Sequence, residues 1–177
     1  VEQWGSSNWT TMSSAFAGVA QLVFNAVDTP DLSSVTDMSY MFDGATNFNS
    51  PIGNWDVSNV TSLFFTFRNA AAFNQPLNNW DISNVADIRG IFKNAAAFNQ
   101  PLNSWDVSQI TQMHSVFAGA TSFNQPLDAW NMVSATDMRY MFNGATAFNQ
   151  PLNSWNFSNV TNTRGMFQNA SAFNQPL

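Results

Sequence analysis

Cysteine is absent from this 177-residue chain, and charged residues are scarce. Without cysteine there is no disulfide and no thiolate metal site, so the fold must depend on packing alone. Charged residues make up 9% of the chain, against about 25% in an average soluble domain. Amides and hydroxyls must therefore keep the surface hydrated.

Basic residues are fewer still, with five Lys and Arg against eleven Asp and Glu and a net charge of −6. Nucleic acids and anionic membranes are recognised by clustered Lys and Arg, so we expect neither as a partner. The chain also lacks the roughly 18 consecutive apolar residues that a membrane-spanning helix needs, so we expect no membrane insertion. A cationic or neutral partner stays open.

Catalytic motifs are also missing. The single histidine, His114, stands in a row of mostly polar residues, and we interpret it as a surface residue. A zinc site or a Ser-His-Asp triad would need partners that no motif supplies, and no Gly-rich phosphate loop is present. We predict that the protein is not an enzyme and needs no cofactor.

What the sequence has in abundance is a repeat of 25 residues. Three aromatic rows carry it, namely Phe48, Phe73, Phe98, Phe123, Phe148 and Phe173; Phe42, Phe67, Phe92, Phe117, Phe142 and Phe167; and Trp55, Trp80, Trp105, Trp130 and Trp155. Periods of 20 to 50 residues are typical of stacked repeat proteins. We predict about seven coils, with equivalent residues forming ladders, including an asparagine ladder at Asn49, Asn74, Asn99, Asn124, Asn149 and Asn174.

The first copy is degenerate. Met12, Phe16 and Leu22 precede Met38, Phe42 and Phe48 by 26 residues, but this copy has no FNQP and no following Trp. We predict that residues 1–30 form an N-terminal cap coil and that residues 31–177 form about six repeats. We also expect the array to continue beyond Leu177.

Two periodicities alternate within a repeat. Trp55 and Val57 are apolar and two apart, with polar residues between them, which predicts a short strand with Asp56 facing outward. Residues 36–45 carry apolar side chains at i, i+3, i+4 and i+7, which predicts a short helix. Helix N-caps are expected at Thr36, Thr61, Thr111, Thr136 and Thr161, and left-handed C-caps at Gly44, Asn69, Asn94, Gly119, Gly144 and Asn169.

These elements together predict an α/β repeat solenoid with short parallel strands on one face and short helices on the other. Leu77, Trp80, Ile82 and Val85 stand at the spacing of a leucine-rich-repeat core. The phrases Asn-Trp-Asp-Val-Ser-Asn-Val-Thr (54–61) and Phe-Asn-Gln-Pro-Leu (73–77) resemble the BspA-like leucine-rich repeat, a bacterial surface-protein repeat of 26 residues. The resemblance implies a right-handed, leucine-rich-repeat-like solenoid on a secreted or cell-surface protein, often an adhesin.

The acidic residues of the strand rows form the main candidate site. Asp31, Asp56, Asp81 and Asp106 share one outward position, and no basic residue lies in any strand row. Repulsion within a row of like charges is reduced either by solvent and flanking hydrogen bonds or by a bound cation or cationic partner. The predicted ligand-binding residues are Asp56, Asp81, Asp106, Asn131, Asn156, Asn54, Asn79, Ser58 and Ser83, with weak calcium binding considered at the three Asp residues.

Aromatic residues on the helix side form a second candidate. Phe64 and Phe65 are adjacent and cannot both face the core of a short helix. With Tyr40 and Tyr140 they mark either a contact patch or tolerated surface.

The sequence thus predicts a non-catalytic, extracellular binding or adhesion module that presents a polar, acidic face to a protein or glycan on another cell or matrix. A structural spacer in a larger surface protein is one alternative. Ice or polysaccharide surface binding through regularly spaced Thr, Asn and Ser is another, with the Thr row as the best candidate for ice.

Overall fold

The computed structural model describes all 177 residues and contains no α-helix and no strand longer than a single bridge. Its four parallel bridges join Asp37 to Ser62, Ser62 to Asp87, Gln112 to Asp137, and Asp137 to Asn162. The remaining residues are in turns and extended segments. The predicted α/β solenoid with strands on one face and helices on the other is therefore wrong, although the 25-residue step does relate neighbouring coils.

Neighbouring coils are joined through seven turn segments, at residues 12–18, 38–44, 63–69, 88–94, 113–119, 138–144 and 163–169. Along each of the first six, alternate backbone N–H groups donate to carbonyls of the next coil. The N–H groups of Tyr40 and Phe42, for example, reach the carbonyls of Phe64 and Thr66 at 2.8 and 2.9 Å. The N–H groups between them close turns within the coil, as from Met41 to Met38. This alternation gives both sets of donors a partner.

Backbone conformation explains why the apolar spacing of residues 36–45 does not produce a helix. Tyr40 and Gly44 both have positive φ, at 57° and 70°, and a left-handed residue at every fourth position interrupts any right-handed helix. An α-helix would also use its N–H groups internally and leave none to join the coils. The predicted left-handed conformation at Gly44 and its equivalents is confirmed, but these residues lie in turns and cap no helix.

The threonine row was predicted to cap helices, and that prediction is wrong. The hydroxyls of Thr61, Thr136 and Thr161 instead donate to the backbone carbonyl of the equivalent residue one coil earlier, at 3.1 to 3.2 Å. They therefore stabilise the contact between coils.

The Trp-Asp-Val segments keep the predicted alternation but form no sheet. Trp55 and Val57 are buried and Asp56 is exposed, yet no backbone hydrogen bond joins this segment to the equivalent segment of the next coil. Side chains join the coils here instead: the indole N–H of Trp80 donates to the carbonyl of Ile52, and the Asn84 amide donates to that of Ser58. The indoles of Trp105, Trp130 and Trp155 make the same contact with Leu77, Leu102 and Leu127.

A core of stacked aromatic rings lies between the turn segments and the Trp-Asp-Val segments. In each repeat two Phe rings stack within the coil, as Phe92 does on Phe98 at 3.9 Å between centroids. Each also stacks on its equivalent in the next coil, as Phe92 does on Phe117 at 5.8 Å. The predicted asparagine ladder is confirmed: the Asn99 side-chain oxygen accepts the backbone N–H of Asn124 at 2.9 Å, and five such bonds run along the stack.

Residues 1–30 cover the first aromatic layer. Trp4 contacts Phe16, Phe24 and Trp55 edge to face. The carboxylate of Asp28 accepts the backbone N–H groups of Trp4 and Gly5. The division into a cap at 1–30 and an array at 31–177 stays a prediction.

Candidate functional site: an acidic row and an aromatic cluster

The acidic row is exposed along the stack, and each carboxylate binds its own chain. Asp31, Asp56, Asp81 and Asp106 are all exposed. The side-chain oxygen of each accepts the backbone N–H of the Ser two residues later, at 3.0 to 3.1 Å. This closes an Asx turn, which fixes the carboxylate relative to the backbone.

Hydrogen bonding keeps these carboxylates ionised. The Ser58 hydroxyl lies 2.7 Å from the Asp56 carboxylate, and this bond, followed by the Ser58 N–H, lowers the pKa of Asp56. The Ser partners act in the same way on the pKa of Asp31, Asp81 and Asp106. The charge of Asp81 raises the pKa of both Asp56 and Asp106, but by less than the Ser bonds lower it. The row is therefore fully charged at neutral pH.

The neutral continuation of the row keeps the same geometry. Asn131 and Asn156 are exposed, and their side-chain oxygens accept the N–H groups of Val133 and Ser158 at 3.2 and 2.9 Å. Asn therefore replaces Asp in this turn without loss of its hydrogen bond.

The other predicted site residues either donate hydrogen bonds to the acidic row or lie in the turn that precedes it. Ser58 and Ser83 are the donors just described. Asn54 and Asn79 are exposed in the preceding turn, and Asn79 accepts a hydrogen bond from Asn78 rather than contacting the acidic row. No group of three or more His, Asp or Glu side chains is placed to hold a metal ion, so nothing in the geometry supports the calcium considered at the three Asp residues.

The predicted aromatic patch divides into two parts. Tyr40, Phe64 and Phe65 are half-buried and in mutual contact, with ring centroids 4.3 to 5.6 Å apart. Tyr140 lies separately, three coils further along, beside Arg164. We call the first three the aromatic cluster.

Cations lie over the rings of the aromatic cluster. The Arg68 guanidinium lies 4.7 Å from the Phe65 centroid, and that of Arg89 lies 4.6 Å from Phe64. Arg68 also pairs with Asp43, and Arg89 with Asp87. These contacts stabilise both the charges and the half-exposed rings. The cluster is thus a rigid surface that combines aromatic and charged groups.

A glycine of the next coil makes room for one of these rings. Gly90 has φ of 58°, and a β-carbon there would lie 2.0 Å from the Phe65 ring. Gly165 stands in the same relation to Tyr140, at 2.6 Å. Sequence reasoning missed this second left-handed row, which also includes Tyr40, Phe65 and Ser115; its signal was Gly90 and Gly165 recurring where the other copies carry larger residues.

His114 is half-buried rather than fully exposed, and burial, followed by the charge of Arg139, lowers its pKa. It is therefore neutral at pH 7.

The structure contains no helix that is long and apolar enough to span a membrane.

Comparisons with known proteins identify one family. Its model, described as a Mycoplasma protein of unknown function, DUF285, matches residues 10–117 and 101–177. Neither the curated proteins nor the solved structures contain a significant match.

Proposed function

The chain belongs to this DUF285 repeat family, and we propose that it is a non-catalytic binding or adhesion module whose acidic row contacts a cationic group of a protein or glycan. The observation that carries the proposal is the set of four exposed carboxylates, one per coil, each fixed in an Asx turn and kept ionised by its own Ser. Fixed charges on a rigid scaffold bind a complementary partner without first being ordered.

The acidic row also differs from three other carboxylates of the chain. Asp43, Asp87 and Asp137 pair with Arg68, Arg89 and Arg139, whereas no cation pairs with the row. Its charge is therefore available to an outside partner, and such contacts increase association rates and depend on salt.

A location at the cell surface is part of the same proposal. It is supported by the resemblance of residues 54–61 and 73–77 to BspA-like leucine-rich repeats, which occur on secreted and surface proteins. The low content of charged residues and the lack of cysteine are compatible with that location.

The aromatic cluster is a second candidate contact surface. Aromatic residues and Arg are enriched in the cores of protein interfaces. Tyr40, Phe64 and Phe65 lie beside three of the chain's five basic residues, Arg68, Arg89 and Lys93. Phe64→Ser, which copies Ser39 of the preceding coil, would test this surface without changing the acidic row.

Of the two other functions, ice or polysaccharide surface binding is less favoured, because Thr61, Thr136 and Thr161 use their hydroxyls between coils. A structural spacer is distinguished by experiment. A glycan and protein array would be probed with the unmodified chain and with Asp56→Asn/Asp81→Asn/Asp106→Asn.

Asn131 and Asn156 show that the triple variant can keep its turns. We expect every salt-sensitive array signal to be lost in it. Two double variants provide a matched comparison. Asp81→Asn/Asp106→Asn removes two charges of the row, and the control, Glu2→Gln/Asp128→Asn, removes two charges outside it. Equal loss in both double variants, or none in the triple variant, would refute a role for the acidic row, and an array with no signal at all would favour the spacer.

A further inference from the structure

The regular Trp ladder is broken at the N-terminal end of the stack. Trp80, Trp105, Trp130 and Trp155 each donate an indole N–H to a carbonyl 28 residues earlier. Trp55 makes no such bond, and the indole of Trp4 also donates none within the chain. Because no buried side-chain nitrogen or oxygen lacks a partner, both indole nitrogens are reachable from solvent.

Val27 explains the break. Its equivalents Ile52, Leu77 and Leu102 are fully buried, and their carbonyls accept the indole bonds, whereas the Val27 side chain is completely exposed. The cap coil therefore leaves the repeat register at this point. A cleft of about 330 Å³ opens where the next indole bond of the ladder would have been.

The cleft combines two aromatic rings with polar groups. The rings of Trp4 and Trp55 meet at 5.4 Å and 89°, so one presents its edge to the face of the other. Asp28, Thr29 and Asn54 also line it. Its volume is at the lower end of the range for small-molecule sites.

We infer that this cleft binds a single carbohydrate residue. A sugar has C–H groups that contact aromatic rings. It also has hydroxyls that can accept from an indole N–H and bond to amide, hydroxyl or carboxylate groups. The indole nitrogen of Trp55 is the donor that selects for an oxygen acceptor. A wholly apolar ligand would leave that donor without a partner, which disfavours it.

This inference does not depend on the acidic row, because none of Asp56, Asp81 and Asp106 lines the cleft. It supplies a separate sugar contact for a module that binds a glycan.

The experiment titrates the chain with a panel of neutral hexoses and N-acetylhexosamines and follows the indole ¹H–¹⁵N resonances. We expect at least one sugar to shift the Trp55 and Trp4 indole signals in a saturable way, and to leave Trp80 and Trp105 unchanged. Trp55→Phe keeps an aromatic ring but removes the donor, and should weaken binding about tenfold or more.

Trp80→Phe is the matched control, because it removes an indole N–H that is already bonded inside the stack. It should leave sugar affinity unchanged even though it lowers stability. The triple Asp→Asn variant should also bind normally, which separates this site from the acidic row. No saturable shift with any sugar of the panel, or equal affinity of the unmodified chain and Trp55→Phe, would overturn the inference.

Discussion

The two sides of each coil hold the stack together by different means. On the turn side, alternate backbone N–H groups bond to the next coil, so these bonds between coils do not depend on side-chain identity. Along the Trp-Asp-Val segments, which we call the Trp side, no backbone bond joins the coils. The indoles and the Asn84-type amides take over that role. Side-chain identity should therefore matter more on the Trp side and backbone conformation more on the turn side.

The largest expected effect is on the Trp side. Trp105→Ala removes a buried ring and leaves the carbonyl of Leu77 without its donor, and should lower the free energy of unfolding by about 3 to 5 kcal/mol. Trp105→Phe keeps much of the volume and should cost about 1 to 3 kcal/mol. Urea unfolding measures both. Trp9→Ala, at a partly exposed position of the cap, is the control, and a loss as large as that of Trp105→Ala would contradict the comparison.

On the turn side the sensitive positions are those with a left-handed backbone. Gly90→Ala puts a β-carbon into the Phe65 ring and should cost about 1 to 3 kcal/mol through overpacking and strain. Ser115→Ala lies in the same left-handed row, with φ of 60°, but already has a β-carbon. It should have little effect in the same thermal melts; similar losses in both would rule out the ring contact as the cause.

The asparagine ladder should show a smaller loss than Trp105→Ala. Asn99→Ala removes the acceptor of the Asn124 N–H and of the Gln125 amide, at a cost of about 1 to 3 kcal/mol. The side-chain oxygen of Asn174, the last member of the row, accepts no hydrogen bond within the chain, so Asn174→Ala should be close to neutral. If chemical denaturation gave equal values for the two, the ladder would not contribute to stability.

The acidic row should have the smallest effect on stability. The lowered pKa values of its carboxylates determine how that effect depends on pH. A carboxylate whose pKa is lower in the folded state stabilises the fold above the ordinary Asp pKa, and this contribution is lost as pH falls from 3.8 through the lowered value. Melting temperatures followed from about pH 6 to about pH 2 should therefore fall less steeply for Asp56→Asn/Asp81→Asn/Asp106→Asn than for the unmodified chain. An unchanged slope would show that the Ser bonds do not persist in solution.

Sequence reasoning succeeded where a row in the sequence becomes a row in space. The 25-residue step, the buried Trp and Phe rows, the asparagine ladder and the left-handed Gly44 row all follow from periodicity and from the conformational freedom of Gly and Asn. The exposed position of the Asp row followed from its alternation with Trp55 and Val57.

The secondary-structure prediction was wrong because the same residue spacing fits two backbone conformations. Apolar residues at Met38, Met41, Phe42 and Ala45 suit one face of a helix, but they also suit a series of turns that points the same side chains inward. Gly90 and Gly165 could have separated the two, because glycine in the middle of a helix is unfavourable. The indole-to-carbonyl bonds and the N-terminal cleft depend on how one coil is aligned with the next in three dimensions. No residue pattern within a single repeat indicates them.

Amide hydrogen exchange tests the central claim most directly, namely that each turn segment directs alternate N–H groups to the next coil. Gly90 and Phe92 donate to His114 and Val116 of the next coil, whereas Gly165 and Phe167 have no acceptor within the 177-residue chain, which is the chain to be measured. We predict slow exchange at Gly90 and Phe92 and fast exchange at Gly165 and Phe167, with Met166 and Gln168 retaining the partial protection of their local turns. Equal protection of Gly90 and Gly165 would contradict the account, because it would mean that bonds within each coil, as in a helix, hold these amides.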